Sequence, residues 1–475
     1  MTTTGAAPHR LWVGLTALLA AALYSLLGLV KLATFRATTF DLVIVDQAVR
    51  NYARFSAPHA PSIGVWHNRG LDYLQVADHF SPIYALLAPF YWIHDGPASL
   101  IVAQALLFAA AIPFLWMYTR RVLGTAPAYL VSVAYALSWP VAQAVNFDAH
   151  EVMFVPVLTA IMIERYHAGR YIPTYAAMVG LLLVKEDMGL MVAGFGLYLL
   201  VTGDRWRGLG VTGVGLAYTV LVRSVLIPAA GGSQEDFWAY HHLGPDAGSA
   251  IVAMLKDPLG TLLLPFSAEA KVDTIVLLVW PTLLLCLLSP LSLMALPHVL
   301  ERMLSDREPW WQADYQYNAF TVVILFCAGV DGLARLLRWL GRENDPALRL
   351  AWATGVLAVA LTLVPRFAFD QLYDREFYRG DPVKVAAARE AVAKVPDGAL
   401  VEAVNYAGPA LTGRATVLLW MPHSNHPAPW VVADTQRWEF PFGSLEAQAQ
   451  RVEQLLAEGY RKVFERDGVV VLHKP

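Results

Sequence analysis

The chain has 475 residues, of which 57% are hydrophobic and 15% are charged, whereas about 25% of the residues in ordinary soluble proteins are charged. The formal net charge of −3 gives no basic surface, which argues against a nucleic-acid-binding protein. The two cysteines, Cys286 and Cys327, stand within apolar runs, so we interpret them as small buried residues and not as a disulfide or a metal site. Composition alone therefore favours a protein embedded in a membrane.

The apolar residues are concentrated in runs that contain few or no charges. A helix needs about 20 apolar residues to cross a bilayer, and the first run, 11–30, is longer than the roughly 7–15 residues of a signal-peptide core. We therefore predict an uncleaved first transmembrane helix after a short N-terminus at 1–10. Later runs of the same character lie at 98–117, 126–145, 211–222, 275–296, 320–330 and 351–364.

The segment that follows the first helix, 40–82, is predicted to be an external loop. Leu42, Val45 and Val49 recur within it at helical spacing. This pattern indicates an amphipathic helix that lies at the membrane interface.

Two acidic residues of this helix are candidate catalytic groups. Asp41 stands near the helix start, where a carboxylate can serve as a catalytic base or simply stabilise the helix dipole. Asp46 is a second catalytic candidate, but it is also four residues before Arg50, a spacing that favours an ion pair along the helix.

Two long apolar stretches of the body are interrupted, and we predict a pair of re-entrant half-helices in each. Lys185, Glu186 and Asp187 interrupt the stretch 171–201, and prolines interrupt the stretch 277–304. Irregular backbone at membrane depth is tolerated only where it is buried in protein or lines a wet cavity. A buried pair of lysine and carboxylate that holds the helix break is the structural alternative for the charged interruption.

Orientation follows from lysine and arginine, which accumulate in short cytoplasmic loops. Basic residues flank many of the apolar runs. If these residues are assigned to the cytoplasmic side, the N-terminus lies in the cytoplasm and the C-terminus lies outside. The arginines used are Arg10, Arg120, Arg121, Arg165, Arg170, Arg205, Arg207, Arg335, Arg338, Arg342 and Arg349.

The composition changes near residue 368, and we predict a soluble extracytoplasmic α/β domain at 369–475. Asp467 and Gly468 stand between two runs of strand character, which is a strong signal for a hairpin. The predicted elements are a helix capped by Asp381 and running to Val395, strands at 401–404, 417–420 and 431–433, a helix from Ser444 to Gly459, and hairpin strands at 462–466 and 469–473.

Ionisable residues gather in the loops assigned to the outer side and at the charged helix break. Insertion of a charge into the membrane costs about 2.5–3.5 kcal/mol, so such residues are often functional. The further members of the predicted polar site are Asp78, His79, Asp148, His150, Glu151, Glu186, Asp187, His298 and Tyr317.

Specific roles are predicted for a subset of these groups. Arg302 is a candidate clamp for a donor phosphate, because a guanidinium matches phosphate oxygens with two hydrogen bonds, and Lys185 is a second candidate. Asp148, Glu151 and His79 are candidate ligands of a divalent cation. Helix capping and anchoring at the interface are the alternative interpretation of that last set.

Four segments carry a family resemblance. The segments 40–47, 79–82, 185–189 and 316–319 resemble a bacterial membrane-protein family known as domain of unknown function 2079, and the resemblance covers the chain from about Thr38 to its end. That family is similar to the GT-C glycosyltransferases, multi-span proteins that take a sugar from a polyprenyl-phosphate donor at the outer leaflet. In them an acidic residue soon after the first helix serves the acceptor, and the matching position here is Asp41.

The chain departs from the family pattern in one loop. Family members often show Asp or His, then Pro and Glu, where this chain has Asp148, Ala149, His150 and Glu151. The resemblance therefore defines the role of this loop less well than the role of Asp41.

The resemblance implies a membrane glycosyltransferase that moves a sugar, with inversion, from a polyprenyl-phosphate donor to a cell-envelope glycan, lipid or protein. Such a reaction needs a base for the acceptor hydroxyl, a cation near the leaving phosphate and an apolar groove for the polyprenyl chain. No cofactor is established by the sequence, and a divalent cation is one way to supply the positive charge.

Two other classes of function remain open. Broken helices with charges at mid-depth are typical of transporters and flippases, although the halves of the chain show no repeat. A non-catalytic scaffold is the second alternative, since fold does not imply activity, and it predicts that Asp41, Glu186 and Arg302 can each be replaced without loss of function.

The sequence thus predicts an α-helical polytopic protein of the bacterial plasma membrane with a GT-C-like body at 11–368. About 9–12 membrane helices are expected, with re-entrant half-helices included. The small C-terminal α/β domain completes the predicted architecture, and the predicted partners are membrane lipids, a lipid-linked sugar donor and an envelope acceptor.

Overall fold

Helices dominate the structure, a computed structural model that describes residues 6–233, 236 and 238–475. Of the predicted N-terminal segment, residues 1–5 lie outside this description, and the rest already belongs to the first helix, Ala6–Ala33. The chain divides into two compact units. The first comprises the described parts of Met1–Tyr24, Gln104–Phe147 and Glu151–Asp370, and the second comprises Ser25–Ala103, Asp148–His150 and Gln371–Pro475.

Five helices of the described chain are long and apolar enough to cross a membrane. A sixth span results if the helix pair Ala247–Lys256 and Pro258–Phe266, bent by 102°, counts as one. The chain is therefore a multi-pass membrane protein, while the predicted number of about 9–12 membrane helices stays a prediction. The long spans are His9–Ala33, Pro97–Leu123, Thr125–Asn146, Arg205–Ala229 and Pro346–Arg366, and shorter apolar helices are Pro82–Ile93, Tyr171–Leu182 and Met188–Val201.

The first unit consists of helices and short helical turns. Its α-helices, besides the start of Ala6–Ala33 and most of Pro97–Leu123, are Thr125–Ala136, Trp139–Asn146, Val155–His167, Tyr171–Leu182, Met188–Val201, Arg205–Leu221, Ile227–Ala229, Ala247–Lys256, Pro258–Leu263, Glu269–Val279, Leu296–Met303, Glu308–Trp311, Val322–Trp339 and Pro346–Leu363. Turns of 3-10 helix include Glu151–Phe154, Leu264–Phe266 and Gln316–Phe320, and Val222–Leu226 is a π-helix.

Both predicted helix interruptions are present. Tyr171–Leu182 and Met188–Val201 are separated at the charged residues, and the stretch after Glu269–Val279 consists of 3-10 turns until Leu296. The left-handed backbone of Leu283 and Leu284, with φ of 53° and 64°, interrupts the helix there, a conformation that bulky residues rarely adopt.

The second unit contains the external-loop segment and the C-terminal segment. Its helices are the π-helix Thr39–Val43, the α-helices Ile44–Ala53, Pro61–Trp66, Gln75–Asp78, Ala88–Ile93, Arg375–Arg379, Pro382–Val392 and Leu445–Ala457, and the 3-10 turns Pro82–Leu87 and Gly408–Ala410.

The helix Ile44–Ala53 is not the interfacial helix that its periodicity suggested. Its residues from Ile44 to Arg50 are all buried, the polar ones included. The polar side chains meet the C-terminal segment of the same unit, where Gln47 Nε2 donates a hydrogen bond to the carbonyl of Val417 at 2.7 Å. The spacing of the apolar residues correctly predicts a helix, but it does not reveal that protein covers the polar face as well.

The C-terminal segment forms a five-stranded mixed sheet, as a small α/β domain requires. The strand order is β2-β1-β3-β5-β4, with β1 parallel to β2 and β3, and β5 antiparallel to β3 and β4. The strands are β1 (Leu400–Ala403), β2 (Thr416–Leu419), β3 (Trp430–Asp434), β4 (Arg461–Arg466) and β5 (Val469–His473).

Local sequence signals explain much of this domain. The Asp381 side chain accepts hydrogen bonds from the amides of Val383 and Lys384 and so caps the helix Pro382–Val392. The β4–β5 hairpin turns at Asp467 and Gly468, both with positive φ, as the two-residue loop demands. The predicted strands, hairpin and capped helices are confirmed.

Candidate functional site

The charged helix break of the first unit is stabilised by a buried ion pair. Lys185 Nζ lies 3.0 Å from Glu151 Oε1, and both side chains are about nine-tenths buried. Lys185 belongs to the break between two apolar helices, and Glu151 opens the 3-10 turn Glu151–Phe154. The structural alternative for this break, a lysine–carboxylate pair, is therefore present.

Three further ionisable side chains of the first unit converge beside the break. Asp187 ends the break, and His298 and Glu301 lie three residues apart on the helix Leu296–Met303, which places them on one face. His298 Nδ1 is 3.8 Å from Glu301 Oε2 and 4.0 Å from Asp187 Oδ2. Arg223 Nη2 binds the other Glu301 oxygen at 2.6 Å.

The Arg302 guanidinium is engaged by neighbouring protein groups, and its role as a phosphate clamp stays a prediction. Its side chain is 2% exposed. It donates hydrogen bonds to the carbonyls of Trp310 at 2.7 Å and Tyr317 at 3.0 Å, and to Asn318 Oδ1 at 2.9 Å. Three of the five N–H groups of the guanidinium thus hold the neighbouring segment in place.

The predicted cation ligands Asp148, Glu151 and His79 are divided between the two units. Asp148 and His79 belong to the second unit, whereas Glu151 belongs to the first unit and pairs with a lysine there. Within the described residues, the group of three metal-ligating side chains whose ligand atoms lie within 4.8 Å of one another consists of Asp187, His298 and Glu301. This group differs from the predicted ligand set, which stays a prediction.

In the second unit, Asp41 and His150 are in contact. Asp41 Oδ1 lies 3.1 Å from His150 Nε2, and the Asp41 side chain is 24% exposed. Asp41 is part of the π-helix Thr39–Val43, a local widening that often occurs at functional sites. The catalytic candidate implied by the resemblance is therefore partly accessible and lies beside an imidazole.

Asp148 completes this group. Its φ of 61° is a left-handed conformation, and its Oδ2 accepts hydrogen bonds from the Thr38 amide at 2.8 Å and hydroxyl at 2.7 Å. Burial raises the pKa of the Asp148 carboxyl above its ordinary value. The positive charge of Lys31 and the Thr38 hydrogen bonds offset part of this rise. Uncommon backbone geometry beside buried ionisable groups is typical of functional sites.

Asp46 has a structural environment. It has no exposed surface, and its carboxylate binds Arg50 at 2.6 Å, the Tyr91 hydroxyl at 2.6 Å and the Thr412 hydroxyl at 2.7 Å. A carboxylate this enclosed cannot reach an acceptor hydroxyl, so the structure favours the ion pair with Arg50 over a catalytic role.

The remaining predicted residues are distributed over both units. Asp78 lies 3.0 Å from His67 Nε2 in the second unit, where His79 donates its backbone amide to Gln75. In the first unit Glu186 is buried, and the Tyr317 ring lies 5.8 Å from the Arg302 guanidinium.

Sequence reasoning missed two features. Arg223 was overlooked although it interrupts an apolar span, which is itself a signal. A cavity of about 470 Å³ in the second unit was also not predicted, because its charged lining comes from distant segments. Its charged lining residues are Arg36, Asp374, Glu376, Asp381, Lys384 and Arg437.

Comparisons with known proteins agree with this architecture. Residues 31–471 match the model of a family described as "Predicted membrane protein (DUF2079)", and no curated protein sequence matches the chain. The crystal structure of ArnT from Cupriavidus metallidurans is similar in the apo state, with 14% identity over 98% of both chains and a TM-score of 0.56. ArnT bound to undecaprenyl phosphate is also similar, with 14% identity, 97% of both chains covered and a TM-score of 0.52.

The archaeal oligosaccharyltransferase AglB from Archaeoglobus fulgidus, in complex with an inhibitory peptide and a dolichol-phosphate, gives a TM-score of 0.46. Its identity is 12%, and the match covers 98% of this chain and 74% of AglB. The similarity to ArnT, a GT-C superfamily member, extends over nearly the whole of both chains, and this shows a GT-C-like fold. Because the family model spans most of the sequence, the chain belongs to the DUF2079 family of predicted membrane proteins, as its motifs indicated.

Proposed function

We propose that this protein transfers a sugar from a polyprenyl-phosphate donor to an extracytoplasmic acceptor, with Asp41 as the general base. The observation that carries the proposal is the contact of 3.1 Å between Asp41 and His150 in the second unit. It occurs in a chain whose fold resembles that of ArnT, a protein crystallised with undecaprenyl phosphate.

The proposed chemistry follows from the Asp41 carboxylate. Its side chain is about a quarter exposed, so an acceptor hydroxyl can come within the roughly 2.6–3.2 Å that proton transfer requires. The His150 ring holds one carboxylate oxygen and leaves the other for the acceptor proton. As the proton leaves, the acceptor oxygen attacks the anomeric carbon, the bond to the donor phosphate breaks, and a single displacement inverts the configuration.

A donor of this kind also needs a lipid-accessible body and a cation at its phosphate. The long apolar helices fit a polyprenyl chain, and Lys185 is the residue proposed to meet the phosphate. Its ammonium has three N–H groups, and one contacts Glu151. The proposed orientation places the N-terminus in the cytoplasm and the C-terminal domain, 369–475, outside, beside the acceptors.

The test is an assay of the purified chain in lipid nanodiscs with a panel of radiolabelled polyprenyl-phosphate sugars, with and without EDTA. We expect release of the sugar from at least one donor, together with saturable binding of that donor. Donor movement across proteoliposomes without cleavage would replace the proposal by a flippase. Absence of both cleavage and donor binding across the panel would favour a scaffold.

A further inference from the structure

We infer that Asp187, His298 and Glu301 bind a divalent transition-metal ion in the first unit. This site is separate from the second-unit residues assigned to base catalysis, and it does not depend on the proposed glycosyl transfer. The ligands would be one imidazole nitrogen and two carboxylate oxygens.

The first argument is geometric. The ligand atoms of the three side chains lie within 4.8 Å of one another, and His298 Nδ1 is 3.8 and 4.0 Å from the two carboxylate oxygens. A point equidistant from three atoms at such separations is roughly 2.3–2.5 Å from each, so a contraction of about 0.3 Å gives the distances usual for zinc. Direct hydrogen bonds, in contrast, need separations below about 3.2 Å.

The second argument is the unmet hydrogen-bonding capacity of these groups. His298 is 2% exposed, and among the described residues its two ring nitrogens, Asp187 Oδ1 and Glu301 Oε2 have no hydrogen-bond partner. A buried polar atom without a partner costs about 1–3 kcal/mol. The partnerless atoms belong to three side chains whose ligand atoms converge, and a cation bound among them explains all three together.

The third argument is that the neighbouring cationic side chains form their ion pairs with carboxylates other than that of Asp187. Lys185 pairs with Glu151, and Arg223 pairs with the Glu301 oxygen that faces away from His298. The contact with Arg223 also fixes the orientation of the Glu301 carboxylate, as supporting groups around metal sites do. Neither of the two cationic side chains forms its ion pair with Asp187, so a metal ion would give this carboxylate a direct cationic partner.

The ligand set selects the class of ion. Imidazole nitrogen is a poor ligand for Ca²⁺ and Mg²⁺, which prefer oxygen, and a good one for zinc, manganese, iron and cobalt. The Phe320 ring, with its centroid 4.9 Å from that of His298, restricts imidazole rotation. Three protein ligands leave at least one coordination position for water or a substrate oxygen.

The test measures metal binding without any sugar donor. The full chain in nanodiscs is stripped with chelator, titrated with Zn²⁺ or Mn²⁺, desalted and analysed for metal content. We expect about one tightly held equivalent per chain, and at least a 10-fold loss of affinity in His298→Gln. The matched control is His167→Gln, because both ring nitrogens of His167 contact protein oxygens, and it should bind metal as the wild type does.

Absence of stoichiometric metal in the wild type, or unchanged affinity in His298→Gln, would overturn the inference. If that variant does not fold, X-ray absorption of the zinc-loaded wild type decides. One imidazole nitrogen with oxygen ligands at about 2.0–2.2 Å supports the site, whereas sulfur or water alone contradicts it. A metal-binding chain that cleaves no donor would refute only the proposed function.

Discussion

Asp46 and Arg50 show how the second unit accommodates charge inside a protein core. The Asp46 carboxylate has no exposed surface, and Arg50 also reaches Asp95 at 2.7 Å. Loss of the Asp46 charge leaves the buried Arg50 guanidinium with only the partly exposed Asp95 as its carboxylate partner among the ion pairs of the described residues. Weakening the compensation of a buried charge usually costs more than the pair contributes.

We therefore predict that Asp46→Asn lowers the free energy of unfolding by about 3 kcal/mol. The double variant Asp46→Asn with Arg50→Met should be less destabilised than the single one, since it removes both buried charges. Asp95 is partly exposed and keeps its contact with Arg54. The measurement is thermal unfolding of the purified chain. The control is Asp72→Asn, which changes an exposed carboxylate of the same loop, and equal stability of Asp46→Asn and this control would contradict the prediction.

Arg302 gives a second prediction at the scale of single residues. Lysine cannot reproduce three divergent hydrogen bonds to the segment from Trp310 to Asn318. Arg302→Lys should therefore cost roughly 2–4 kcal/mol of stability, while polyprenyl-phosphate affinity below the melting temperature stays the same. Exposed Arg205→Lys is the control. A large loss of affinity at unchanged stability would contradict this prediction and support the phosphate-clamp role.

At the scale of elements, the sequence correctly predicts the turns and helix caps, because neighbouring residues determine them. The hairpin turn at Asp467 and the caps at Asp381 and Ser444 are set by neighbouring residues, and the structure has each of them. The parallel pairing of β1 with β2 and β3 depends on distant segments, so no local pattern indicated it. The prediction of an interfacial helix at Ile44–Ala53 was wrong for the same reason. The spacing of apolar residues does not show whether distant parts of the chain cover the polar face of the helix.

Strand β1 also carries a titratable group that makes the domain sensitive to pH. Burial raises the pKa of Glu402 to about 7, from roughly 4.3 in an unfolded chain. Between about pH 4.3 and about pH 7, Glu402 is protonated in the folded state and ionised in the unfolded state. The contribution of Glu402 to the free energy of unfolding therefore falls by on the order of 3 kcal/mol as the pH rises from about 4.3 to about 7, and it is constant at higher pH.

Glu402→Gln removes this contribution. We expect the melting temperatures of wild type and variant to be similar at pH 5 and that of the variant to be higher at pH 8. Scanning calorimetry of the full chain measures both. Glu465→Gln, on the exposed side of β4, should follow the wild type throughout. A variant that is less stable than the wild type at pH 8 would show that Glu402 is ionised and needed in the fold.

The structure places some of the predicted site residues in contact with one another and others elsewhere. Asp41 and His150 meet because the helix after the first span and the loop at 148–150 belong to one unit. The sequence analysis included Asp187 and His298 in one large polar set, but it did not predict their proximity. Residues so far apart in the sequence form no spacing pattern that would indicate a contact. Glu301 is absent from the predicted set, because the sequence around it does not distinguish a buried carboxylate from an exposed one.

At the scale of the whole molecule, the predicted orientation can be tested with the native cysteines in place. Cys286 and Cys327 are buried, so they contribute little background to labelling. In intact cells, an impermeant maleimide should label Asp397→Cys and not Trp206→Cys, positions where the native side chains are highly exposed. Both should react after lysis, and the reverse pattern in intact cells would invert the topology.

The most direct test of glycosyl transfer compares the rate of sugar release from the accepted donor for wild type and Asp41→Asn in the same nanodiscs. Asn keeps the shape of the side chain and removes the base, so we predict a loss of at least about 100-fold with donor affinity within about twofold. The exposed carboxylate change Asp72→Asn should leave the rate intact. Full activity in Asp41→Asn would contradict the assignment of Asp41 as the base.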